Sequence, residues 1–111
     1  RFTASRWRGC TLGESAFRCA NITQSRWKKC RMENCQLRRA VLAEADVAGL
    51  SPHRTGFQEV DFFRTPLKGV DFSDCALEGI TVSESLGELR GMKINPAQAV
   101  DLIPLLGIQL L

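Results

Sequence analysis

Residues 25–42, Ser25-Arg26-Trp27-Lys28-Lys29-Cys30-Arg31-Met32-Glu33-Asn34-Cys35-Gln36-Leu37-Arg38-Arg39-Ala40-Val41-Leu42, carry a large apolar residue at every fifth position. A small residue stands two places before each. Outward from this stretch the same beat runs through most of the 111 residues. It passes through Phe2, Trp7, Leu12, Phe17 and Ile22 on one side. On the other it passes through Val47, Phe57, Phe62, Leu67, Phe72, Leu77 and Val82, with one lapse at Pro52. A period of five matches neither a helix at 3.6 nor a strand at 2, so the chain is a repeat architecture. Charge obeys the same register. Up to Glu88 there are 24 charged residues, and none falls in either column. Both columns therefore face inward, where an unpaired charge is too costly.

Two inward residues in five suit a chain that turns a corner after each pentapeptide. Four such segments close a square coil of about 20 residues, and coils stack at about 4.8 Å by parallel pairing. Residues twenty apart then lie one above another. Trp7, Trp27, Val47 and Leu67 share a face, and Leu12, Met32, Pro52 and Phe72 share the next. Phe17, Leu37, Phe57 and Leu77 form a third, and Phe2, Ile22, Leu42, Phe62 and Val82 a fourth. The expected core ladder is Trp7, Phe17, Trp27, Leu37, Phe57, Phe62, Phe72 and Leu77. Their column assigns the two tryptophans to the interior rather than to a base-stacking platform.

The stretches Ala20-Asn21-Ile22-Thr23-Gln24, Val60-Asp61-Phe62-Phe63-Arg64, Val70-Asp71-Phe72-Ser73-Asp74 and Cys75-Ala76-Leu77-Glu78-Gly79 resemble the A(D/N)Lxx motif of the pentapeptide-repeat family. The resemblance spans roughly residues 1–85. It implies an all-β solenoid, a right-handed quadrilateral β-helix of about four coils with a C-terminal capping and dimerisation helix. The handedness comes from the resemblance alone. Residues 1–86 are expected to form the β-helix and 87–111 the cap. Because Phe2 is already in phase and the chain starts at Arg1, the sequence reads as a fragment with more coils upstream.

Two stretches depart from the beat. Residues 49–56, Gly49-Leu50-Ser51-Pro52-His53-Arg54-Thr55-Gly56, read as an irregular, bulged corner, because proline cannot donate to a ladder and glycines favour turns. After Val82 the phase decays. Asn95-Pro96 reads as N-cap and first helical position, opening a helix over about 96–106 that Pro104 should kink or shorten and Gly107 should stop. That helix leaves only Gln98 and Asp101 polar. One face caps the last coil, and the rest needs a partner. Residues 108–111 read as a short strand seeking an edge. The expected dimerisation residues are Val100, Leu102, Ile103, Leu106, Ile108 and Leu110. The ending, Gly91 to Ala99 and then Leu105-Leu106-Gly107-Ile108, resembles the dimerisation cap of the bacterial pentapeptide proteins that protect DNA gyrase from quinolones. That resemblance implies a homodimer and possible binding to DNA gyrase or topoisomerase IV by mimicry of duplex DNA.

Charge is asymmetric along the chain. Residues 1–40 hold ten basic and two acidic residues, +8, and residues 41–111 hold five basic and ten acidic, −5, summing to +3. In a solenoid, position in sequence is height, so the early coils are basic and the later ones acidic. Arg6, Arg8, Arg26, Lys28 and Lys29 flank the tryptophans and share a face. With His53 and Arg54 of the irregular stretch they are the candidate partner-binding residues. Direct nucleic-acid binding is not expected. No acid–base pair or nucleophile cluster is visible, so no enzyme is expected and no catalytic, metal or cofactor site. Cys10, Cys30, Cys35 and Cys75 fall in the small inward column and Cys19 outside it. Cysteines so placed act as small hydrophobes, and an odd number of mostly buried thiols points to a reducing, cytoplasmic setting. No apolar run approaches the ~20 residues of a membrane span. The function expected is a non-enzymatic, dimeric protein-binding scaffold, with gyrase protection as the alternative.

Overall fold

A computed structural model describes residues 5–111 of the chain. Arg1 and the ladder position Phe2 fall outside them. The strands are β1 (Arg6–Arg8), β2 (Thr11–Gly13), β3 (Ala16–Arg18), β4 (Arg26–Lys28), β5 (Cys30–Glu33), β6 (Gln36–Arg38), β7 (Leu50–His53), β8 (Gly56–Gln58) and β9 (Ala76–Glu78). They form three parallel sheets ordered β1-β4, β2-β5-β7 and β3-β6-β8-β9. Each pairing is twenty residues apart, setting Trp7 on Trp27, Leu12 on Met32 and Phe17 on Leu37. The fourth face is joined by bridges along Asn21, Val41, Asp61 and Thr81. The molecule measures 41 × 25 × 24 Å, and its two equal short axes are those of a square coil. The expected quadrilateral β-solenoid of about four coils is the observed fold.

The axis is filled by the five-residue column. Trp27, Met32, Leu37, Leu42, Phe57, Phe62, Phe72 and Leu77 are buried, each contributing about 1.5–3 kcal/mol. Phe72 meets Phe57 edge-on at 5.2 Å between ring centres. Corners repeat as strictly as the core. Glu14, Cys19, Gln24, Lys29, Asn34, Arg39, Glu44, Arg54, Glu59 and Arg64 are all left-handed, with φ between 46° and 59°. Such a conformation costs a non-glycine residue about 1–2 kcal/mol. Bonds to the next coil offset it, as from Glu14 N to Glu33 O at 3.0 Å and from Glu44 N to Phe63 O at 2.8 Å. Gly49 occupies a corner for a different reason. A Cβ there would lie 2.8 Å from Lys29 N and 2.9 Å from Trp27 O, so only glycine fits against the coil beneath.

Residues 49–56 are not a bulged corner. They hold β7 and β8, and Pro52 is buried in register with Met32. The direction of the ladder explains the difference. The amide of a large inward residue donates to the coil above, as Ile22 N to Val41 O at 2.7 Å and Phe62 N to Thr81 O at 2.9 Å. Proline forfeits only that upward bond. From below, the amides of Cys30 and Asn34 are still accepted at the two ends of β7, by Gly49 O just before it at 3.0 Å and by His53 O at 3.1 Å. The sheet accordingly ends at β7.

Nor does the repeat decay after Val82. A slip of two residues intervenes, and pairing resumes twenty-two apart. Leu67 N donates to Glu88 O at 3.0 Å, Gly69 N to Gly91 O at 2.9 Å and Phe72 N to Lys93 O at 2.8 Å. Leu89 and Ile94, again five apart, pack on the core. The slip is built around Glu88, which is only 3 % exposed. Its carboxylate accepts from Ser83 N at 2.7 Å, Arg64 N at 2.9 Å and Ser83 Oγ at 2.9 Å.

The cap is shorter in α-helix than expected. A 3₁₀ turn (Pro96–Gln98) leads into α1 (Ala99–Leu102), and a second 3₁₀ turn (Ile103–Leu106) ends at Gly107 with φ 79°. Pro104 has no amide to continue the α-ladder. Asn95 is the N-cap, in a reciprocal box with Gln98: Gln98 N donates to Asn95 Oδ1 at 3.0 Å and Asn95 N to Gln98 Oε1 at 2.8 Å. Gln98, one of the two polar residues of the helix, is 5 % exposed. Its Nε2 donates to Phe72 O and Cys75 O, both at 2.6 Å, sealing the last coil with an amide. Leu102 and Leu105 pack on the core beside it. Residues 108–111, expected as a strand, form none in the single chain.

Candidate functional site

Strand alternation puts Trp7 and Trp27 inside and Arg6, Arg8, Arg26 and Lys28 outside. The register sets Arg6 against Arg26 and Arg8 against Lys28. The result is a two-by-two grid of cations with rungs about 4.8 Å apart. Beneath it the indole rings are parallel, 4.7 Å between centres and 3° from coplanar. Each indole N–H is satisfied by the serine two places before it, Trp27 Nε1 to Ser25 Oγ at 2.9 Å and Trp7 Nε1 to Ser5 Oγ at 2.8 Å. Thus the small column also supplies the polar partner a buried indole needs. Trp27 is buried, whereas Trp7, like Leu12 and Phe17, is half-buried.

The grid is bounded in the third coil, where Asp46 pairs in register with Arg26. Arg6, Trp7, Arg26, Lys28, Asp46 and Gly49 line a shallow groove along this face. Lys29 stands at the adjoining corner with φ 53°. Among the described residues, none of Arg6, Arg8, Arg26 and Lys28 is in an ion pair. Some cations elsewhere are paired within the solenoid. Arg39 Nε lies 2.8 Å from Glu59 Oε2 and Arg31 2.9 Å from Glu33 Oε1. These guanidinium groups hold both carboxyls below their usual range.

The structure does not bring His53 and Arg54 to the grid. They lie on the neighbouring face and at its corner, and both tie coils together. His53 Nδ1 is 3.4 Å from Asp74 Oδ2, and Arg54 Nε donates to Asn34 Oδ1 at 3.2 Å. Of the candidate dimerisation residues, Val100, Leu106, Ile108 and Leu110 are exposed and Ile103 is half-buried. Leu102 packs against the solenoid core instead.

Cys30, Cys35 and Cys75 are buried, Cys10 is half-buried and Cys19 exposed. Burial pushes the Cys75 thiol up to about 11. No group of three or more metal-ligating side chains is present among the described residues. No helix among them is long and apolar enough to cross a membrane. Glu88 and Gln98 were not foreseen. An Asn-x-x-Gln spacing ahead of an apolar run was the signal for Gln98. Glu88 offered only its place before Leu89, where the beat resumes.

Comparison with known proteins agrees with the coil. The family model for pentapeptide repeats matches residues 15–49 in eight copies. No curated protein matches the sequence. Among solved structures, the pentapeptide repeat protein Rfr23 from the cyanobacterium Cyanothece 51142 is similar at 11 % identity. The match covers 83 % of this chain and 89 % of that one, with a TM-score of 0.34. A trypsin-treated form of QnrB1, a plasmid-mediated fluoroquinolone resistance protein, is similar at 16 % identity over 99 % of this chain and 70 % of that one. Its TM-score is 0.32. Scores this low carry nothing about function.

Proposed function

We propose, from the pentapeptide repeats matched over residues 15–49 and the parallel-strand coil, that this is a pentapeptide-repeat protein, a non-enzymatic scaffold that binds an acidic protein partner through the β1–β4 face. The observation that carries this is the unneutralised grid of Arg6, Arg8, Arg26 and Lys28 on a rigid tryptophan ladder. Four like charges held this close are mutually destabilising unless an anionic surface neutralises them. The grid is two coils tall. It suits an acidic loop better than duplex DNA, whose binding calls for a run of phosphate contacts. Direct nucleic-acid binding is therefore not part of the function. A reducing cytoplasm is the setting consistent with the free thiols.

The scaffold is a homodimer joined through its C-terminus. Val100, Leu106, Ile108 and Leu110 leave an apolar surface that the solenoid does not cover. Analytical ultracentrifugation tests this: a Leu106→Asp, Ile108→Asp variant should be a monomer that keeps its β circular dichroism. A wild-type monomer at micromolar concentration would sink the dimer. For the docking face, an acidic peptide titrated against the protein should bind with an affinity that falls steeply with salt. Arg6→Glu with Arg26→Glu should abolish binding, and undiminished binding would refute the assignment.

A narrower function, protection of DNA gyrase or topoisomerase IV against quinolones, draws support from the cap sequence and from the acidic later coils that adjoin it. A supercoiling assay with and without quinolone decides it. The chain should restore supercoiling in the presence of the drug, and no protection at stoichiometric excess would end it.

A further inference from the structure

Cys10 and Cys30 stand in the inward small column one coil apart. The pairs Arg8–Lys28 and Thr11–Arg31 hold the chain in register on either side of them, and Arg31 N donates to Cys10 O at 3.0 Å. Neighbouring parallel strands lie about 4.8 Å apart, within the roughly 4.4–6.8 Å between Cα atoms that a disulfide spans. The two Sγ atoms are 2.7 Å from each other, so closing to a bond of about 2.04 Å requires only a small side-chain movement. Cys30 is buried, its Sγ also 3.1 Å from Trp7 O. Cys10 is half-buried.

We propose that Cys10 and Cys30 form a redox-sensitive pair that closes into a disulfide, stapling the first coil to the second. The oxidant is a small-molecule disulfide such as oxidised glutathione. The Cys10 thiolate attacks one of its sulfurs, breaking that S–S bond and releasing one glutathione thiolate. The Cys30 thiolate then attacks Cys10 Sγ in the mixed disulfide and expels the second. The two cysteine protons end on the two glutathione thiols, and the two electrons reduce the oxidant. Burial, together with the neighbouring Cys30 thiol, pushes the Cys10 thiol up to about 11. The thiolate fraction at neutral pH is therefore small, and exchange is slow. The staple lies between the sheets of β1–β4 and β2–β5. Once formed it fixes the two coils that carry the cation grid.

The test is oxidation of the whole chain with oxidised glutathione, alkylation of the remaining thiols, and peptide mapping by mass spectrometry. The expected product is an intramolecular Cys10–Cys30 link, two hydrogens lighter. Its thermal midpoint should rise by about 10 °C, since it closes a loop of some twenty residues, and a reductant should reverse the shift. Cys10→Ser, at the half-buried member, should fold and show neither link nor shift. A link through Cys19, Cys35 or Cys75, a link between molecules, free Cys10 and Cys30 after prolonged oxidation, or a linked protein with an unmoved midpoint would each overturn the proposal.

Discussion

In the second coil, Trp27, Met32, Leu37 and Leu42 fill the axis, and their one strong polar group, the Trp27 indole N–H, is met by Ser25 from the same pentapeptide. At the C-terminal end a carboxylate and an amide do the sealing. Glu88 gathers Ser83 and Arg64, and Gln98 bonds the carbonyls of Phe72 and Cys75. Mid-solenoid, the next coil supplies each ladder partner, so the interior is apolar apart from hydroxyls such as Ser25, Thr55 and Thr65, which bond to nearby carbonyls. At the end there is no next coil, and each unpaired backbone group must find a side chain or remain unsatisfied. The difference separates two kinds of stability, one resting on buried area and the other on hydrogen bonds that cannot be spared.

Six substitutions probe that contrast. Trp27→Ala should have the largest effect, a loss of about 3–5 kcal/mol in denaturant unfolding, and Trp7→Ala a clearly smaller one because Trp7 is only half-buried. Equal losses would mean that the ladder does not carry stability by area. Glu88→Ala should cost about 2–4 kcal/mol, because it strands the amides of Ser83 and Arg64. Hydrogen exchange should then show those two amides opening before those of β5. Gly49→Ala should cost about 1–3 kcal/mol, since the new Cβ meets backbone. Gly56→Ala meets only the Gln36 side chain, which can swing away, and should cost less. At the small end, Lys29→Gly relieves a left-handed corner at φ 53°. Relief of about 1–2 kcal/mol is nearly offset by added chain entropy, leaving a gain of a few tenths.

Acid tests the cap without changing its shape. Desolvation pushes the Glu88 carboxyl up, but the Ser83 and Arg64 amides pull it further down, leaving it below its usual 4.5. A depressed folded value means that Glu88 stabilises the fold fully above 4.5, and that this contribution disappears as pH falls through the lower folded value. Urea midpoints should drop across that acid window in wild type and drop less in Glu88→Gln. Parallel titration curves for the two proteins would count against the role given to Glu88.

What could be read in advance follows the same division. The beat of five fixes which residues are buried because burial repeats: Leu37 and Phe57 occupy one environment, and their common column reveals it. Pro52 misled because its identity signals a break, while the direction of its missing donor depends on a ladder that exists only in three dimensions. Glu88 was illegible for a related reason, and at Gln98 only the local box with Asn95 could be read. Their partners, Arg64 and Phe72, lie more than twenty residues away, and no period links them. The unpaired state of Arg6, Arg8, Arg26 and Lys28 was only half legible. Spacing put them on one face, but that Arg39 has an ion-pair partner and, among the described residues, these four have none emerges from the register of whole coils.

Gln98 has a consequence for how such a rod can grow. A stack of parallel coils is an open template, and a further strand, from its own chain or another, could in principle add at the last rung indefinitely. Here the carbonyls of Phe72 and Cys75 are already occupied by the Gln98 amide, and Pro52 removes the donor that would have extended the β2-β5-β7 sheet. The two-residue slip at Glu88 also shifts the pairing to twenty-two apart just before the cap closes the stack. The solenoid therefore carries its own terminator. A lineage that lengthened this protein could do so only by inserting twenty-residue coils before the slip, and longer relatives should differ in multiples of that length while keeping the ending intact.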